Sequence, residues 1–81
     1  MVEGRYHHGE LRSALLDVAE GLIRERGVDG WSLREASVRI GVSPSAAYHH
    51  FDSREALVRA LSERVVSRLG ERLRRAVGRR F

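Results

Sequence analysis

Apolar residues recur at helical spacing along most of this chain. Leu11, Leu15, Val18 and Leu22 fall at i, i+4, i+7 and i+11, and Ala14, Ala19 and Ile23 widen the stripe. Ser13, Asp17, Glu20 and Arg24 fall opposite. That pattern predicts an amphipathic helix over about residues 10–26 with one buried face. Gly21 lies inside it, at a cost of about 1 kcal/mol relative to alanine. Gly27 supplies a left-handed stop.

A second, shorter helix follows. Ser32-Leu33-Arg34-Glu35 has the form of a capping box, in which the serine oxygen takes an orphan amide and the glutamate reaches back. Leu33, Ala36 and Ile40 make its apolar face, with the small Ser37 beside them, and Gly41 ends it. The third helix starts at once. Ser43 is a good N-cap, and Pro44 suits the first helical position, where a missing N–H costs nothing. Ala47 and Phe51 share one face; Pro44, Ser45, Ala46 and His49 point elsewhere, and Tyr48 lies between. The fourth begins with Asp52 or Ser53 as cap, Asp52-x-x-Glu55 being a second candidate capping box. Leu57, Leu61, Val65, Leu69 and Leu73 then repeat every four residues, with Val58 and Val66 on a second stripe. Three short helices cannot cover both stripes, so the far half expects something else to pack on it. Trp31 reads as a lid on the core beside the second helix.

The predicted fold class is therefore all-α: a three-helix bundle containing a helix-turn-helix, followed by a long fourth helix. Two short helices joined by Gly41-Val42-Ser43 have the helix-turn-helix layout. Gly41 can take positive φ without a Cβ penalty, Ser37 permits a close crossing, and Val42 can plug the core beneath the turn. In such a pair the second helix enters the major groove while the first crosses the DNA backbone. Pro44, Ser45 and Ala46 are small enough for close approach to base edges, and a serine can donate or accept there. Tyr48 and His49 can reach phosphates or bases. The first amides of the fourth helix, with Arg54 beside them, suit a phosphate. Arg34 reads either as a solvated arginine or as a DNA contact.

Composition changes this picture little. The 81 residues leave room for one small domain, which buries only about 60% of its unfolded surface. The absence of cysteine excludes a disulfide framework and fits a reducing compartment. No apolar run reaches the roughly 20 residues of a membrane span, and the polar start lacks a signal-peptide core; the expectation is a cytoplasmic protein. The net charge is +4, but five arginines lie in residues 72–80, and the remainder of the chain sums to −1. Bulk charge does not make this a DNA binder, and the arginine cluster reads as a solvated helix end. Adjacent histidines on a helix point about 100° apart, so His7-His8 and His49-His50 are poor chelates. No metal or cofactor is expected, nor any catalytic arrangement.

The runs Gly41-Val42-Ser43, Ala47-Tyr48-His49-His50-Phe51 and Ser53-Arg54-Glu55-Ala56-Leu57 together resemble the DNA-binding domain of the TetR/AcrR repressors. Tyr6-His7-His8-Gly9-Glu10-Leu11-Arg12 is similar to the N-terminal signature of one branch of that family, and the resemblance covers about residues 6–65. It implies DNA contacts by Ser32, Arg34 and Ser43, a reading face of Pro44, Ser45, Ala46 and His49, and phosphate contacts by Tyr48 and Arg54. It also departs from the family: Ala36 replaces a usual isoleucine or valine, Ser37 a usual alanine, and Ile40 a common small residue. An exchange of volume between 36 and 40 keeps the core filled. The expected layout is a flexible arm over residues 1–9, a helix-turn-helix domain over 10–56, and over 57–81 a fourth helix leading to a regulatory domain absent from this chain. The implied partners are double-stranded operator DNA of pseudo-palindromic form, a second copy held through that absent domain, and a small-molecule effector of it. The rival reading is a protein-interaction module using the exposed face of the fourth helix.

Overall fold

The computed structural model describes residues 8–80, so the arm expected over residues 1–9 falls outside the described residues up to residue 7. Four helices follow in order: α1 (His8–Arg26), α2 (Leu33–Ile40), α3 (Pro44–His50) and α4 (Arg54–Arg80). No strand occurs among the described residues.

Helix α1 is the central element, packed against each of the others. That position explains why its buried face is broader than the predicted stripe. Leu15, Ala19 and Leu22 are fully buried as expected, and Leu16, outside the stripe, is buried with them. Leu11, Val18 and Ile23 pack at the margin. Gly27 adopts φ 86° and its N–H returns to the Ile23 carbonyl at 2.7 Å, closing the helix.

The core is completed by Trp31, Leu33, Ala36, Ala47, Phe51, Leu57 and Leu61. It thus runs past residue 56 into the second turn of α4. Ile40 packs against its edge beside the small, fully buried Ala36, consistent with volume moving from one position to the other.

At the starts of α2 and α4 the caps are settled by side-chain hydrogen bonds. The Ser32 oxygen does accept the Glu35 N–H at 3.0 Å, but the Glu35 carboxylate pairs with Arg26 instead of closing the capping box. Arg26, at the end of α1, offers that carboxylate a full charge, which outbids a backbone amide. At α4 the cap is Ser53, one of the two residues expected there, in place of an Asp52 capping box: its oxygen accepts the Ala56 N–H at 3.1 Å.

Beyond Leu61 the apolar stripe of α4 leaves the core, and Val65, Leu69, Leu73 and Val77 are all exposed. At that departure Arg64 pairs with Asp17 and Glu20 of α1, and Arg68 lies 3.9 Å from Glu20.

Candidate nucleic-acid interface

The turn between α2 and α3 is fixed by backbone chemistry. Gly41 sits at φ 79°, ψ 28°. Its N–H donates to the Val38 carbonyl at 3.1 Å, and the Val42 N–H donates to the Ser37 carbonyl at 3.0 Å. That paired arrangement is a Schellman closure, which needs a residue free of a Cβ in the left-handed region. Val42 is half-buried under the turn. Ser43, extended at φ −73°, accepts the Ala46 N–H at 3.2 Å and starts α3 with Pro44 in its first turn. The chain thus stops one helix and starts another within three residues.

Burial then orients α3. Ala47 is completely buried and Phe51 nearly so. At about 100° per residue, Ser45 and His49 point directly away from Ala47, one turn apart. Both are exposed, and Tyr48 on the flank is 48% exposed. Ala46 and Pro44 are half-buried, so their share of the outer ridge is smaller than their place in the sequence suggests. On α2, Ala36 and Ser37 are fully buried. The Ser37 hydroxyl donates to the Arg34 carbonyl at 2.6 Å.

Ser32 and Arg34 are exposed at the start of α2, and Ser43 is exposed at the start of α3. Each serine uses an oxygen lone pair for its cap, which leaves the O–H as a donor. Arg34 has no carboxylate partner among the described residues. Arg54 is held by protein acceptors. Its Nη1 donates to the carbonyls of Asp29 at 3.2 Å and Trp31 at 3.1 Å. Its Nη2 lies 3.6 Å from the Asp29 carboxylate and 3.5 Å from that of Glu55. The guanidinium is turned onto the loop that enters α2.

The fold also brings in a cation with no site role in the motif. The Arg12 guanidinium carbon lies 5.3 Å from the centre of the Phe51 ring, at the end of α3. Such a contact across distant parts of the chain leaves no local sequence signal. His49 and His50 meet edge to face at 5.6 Å. Among the described residues no three histidine or acidic side chains are grouped to hold a metal ion, and no helix is long and apolar enough to cross a membrane.

Residues 15–61 match the family described as bacterial regulatory proteins, tetR family. The chain is 40% identical over 47 residues to the HTH-type transcriptional repressor KstR2 of Rhodococcus jostii (strain RHA1), covering 58% of this chain and 23% of that protein. It is 32% identical over 68 residues to the HTH-type transcriptional regulator BetI of Brucella anthropi, covering 84% of this chain and 35% of that one. It is 36% identical over 55 residues to the tetracycline repressor protein class A from transposon 1721 of Escherichia coli, covering 68% and 26%. The matches thus span about a quarter to a third of each relative's length. No solved structure matches the chain.

Proposed function

The chain belongs to the tetR family of bacterial regulatory proteins, and on that footing we propose that its helix-turn-helix holds double-stranded operator DNA, with α3 in the major groove. The observation that carries this reading is the outward ridge of α3: Ser45 and His49 stand exposed opposite the buried Ala47. Ser45 and His49 read base edges, with Ala46 and Pro44 permitting close approach. Tyr48 and Arg34 hold phosphates, and the capping hydroxyls of Ser32 and Ser43 donate to the backbone at the two helix starts. Arg12, beside Phe51, is a further cation for the phosphate path.

The whole protein is, in this reading, a cytoplasmic repressor. It dimerises through a further domain, meets a pseudo-palindrome with matching two-fold symmetry, and releases it when a small molecule binds. Family membership supports these points.

Mobility shift against selected and random duplexes tests the reading. Tyr48→Phe should weaken binding to all sequences alike, because a phosphate contact carries no sequence information. Replacing Ser45 or His49 should change the selected site, by roughly 1–3 kcal/mol where a bidentate contact is lost and by less for a single one. An unaltered selected site in both variants would remove α3 as the reading helix. A second reading, a helix-binding module, draws on the exposed Val65, Leu69, Leu73 and Val77 of α4. Absence of DNA binding by a dimerised form at low salt would favour it.

A further inference from the structure

We propose that Arg54 is a positioning residue: it sets the spacing between the N-terminal ends of α2 and α4 and acts on DNA through them, without touching a phosphate. The inference rests on the DNA-binding reading above. A guanidinium has five N–H donors, two of them on each terminal nitrogen. Both Nη1 hydrogens of Arg54 are committed to the carbonyls of Asp29 and Trp31. Nη2 faces the carboxylates of Asp29 and Glu55. The Nη1 side of the fork is thus occupied, and a phosphate arriving at Nη2 would meet the like charges of Asp29 and Glu55.

What the fork holds is informative. Asp29 and Trp31 lie in the segment just before Ser32, the cap of α2. Trp31 is buried and pins that segment to the core. Arg54, the first residue of α4, ties the same segment to the start of α4. The exposed Ser32 hydroxyl and the Arg34 side chain therefore keep a fixed offset from α4 and, through the α2–α3 turn, from the reading ridge. Removing the tie lets the start of α2 shift, which lengthens the uncharged hydrogen bonds made from Ser32 and the α2–α3 turn while the charges facing the DNA backbone stay near it, so affinity falls without a change in the number of phosphates neutralised.

Lysine separates the two roles. It keeps the charge and could serve a phosphate as a point cation, but it cannot span two carbonyls and two carboxylates in one plane. The experiment measures the affinity of the chain for its selected duplex across a salt series, for wild type, Arg54→Lys and Arg54→Gln. All measurements are made well below each variant's melting transition. The emission of Trp31, the only tryptophan in the chain, is recorded alongside. The expected result is a loss of roughly tenfold in both variants, an unchanged slope of log affinity against log salt, and a red-shifted Trp31 emission. Three results would overturn the proposal: wild-type affinity in Arg54→Lys, a slope reduced by about one in Arg54→Gln as for a lost phosphate contact, or unchanged affinity in both variants. If wild type binds no duplex at any salt, the DNA-binding reading fails first and takes this proposal with it.

Discussion

At Ser37 of α2 a hydroxyl is completely buried, with a hydrogen bond to the Arg34 carbonyl to compensate it. Size matters more than polarity there. A carbonyl that already serves the helix needs no second donor, so deleting the hydroxyl strands no partner. Alanine also has the better helix propensity. Ser37→Ala should therefore leave the unfolding free energy unchanged to within about 0.5 kcal/mol. Ser37→Leu should cost about 1–3 kcal/mol or more by overpacking the buried site. Gly41→Ala, at positive φ, should cost about 1–2 kcal/mol. Urea denaturation of the three variants checks the order. Should Ser37→Leu be as stable as Ser37→Ala, the need for a small side chain at this buried position would be the wrong account.

At the scale of elements, α1 carries a correctable weakness. Gly21 lies inside the helix, and an added Cβ would meet nothing within 4 Å. Gly21→Ala should stabilise the chain by up to about 1 kcal/mol, seen as a higher melting temperature with no change in affinity for DNA. The limits of α2 and α3 were legible in the sequence because their determinants are local. Gly41 stops one helix, while Ser43 and Pro44 start the next through bonds spanning three to five residues. The ridge of Ser45 and His49 followed from the burial of Ala47 and Phe51 at one helical turn. What the sequence concealed was decided by distant neighbours. Glu35 had a plausible local partner and took Arg26. Leu16 is buried because α1 is flanked on more than one side. Arg54 looked like a free cation until the fold set the carbonyls of Asp29 and Trp31 against it.

For the whole molecule, the unequal halves of α4 are the dominant feature. The radius of gyration is 15.0 Å, against about 12 Å for a compact chain of this length. The excess reflects a helix of 27 residues whose later turns project beyond the bundle. One four-residue repeat therefore runs through two environments. Leu57 is 0% exposed and Leu73 is 58% exposed, although nothing in the repeat itself distinguishes them. Leu57→Ala should cost about 2–5 kcal/mol, from lost transfer energy and the cavity left behind. Leu69→Ser and Leu73→Ser, each leaving water-facing surface, should stay within about 0.5 kcal/mol of wild type. The comparison requires thermal melts at two protein concentrations. If the serine variants fall with Leu57→Ala, the far half of α4 is covered in solution. A melting temperature that also rises with concentration would identify the cover as another copy of the chain, since self-association stabilises by mass action. Equal stability of wild type and the serine variants at both concentrations would show that the bundle ends energetically near Leu61, with Arg64 and Arg68 on Glu20 as the last contacts that hold α4 to it.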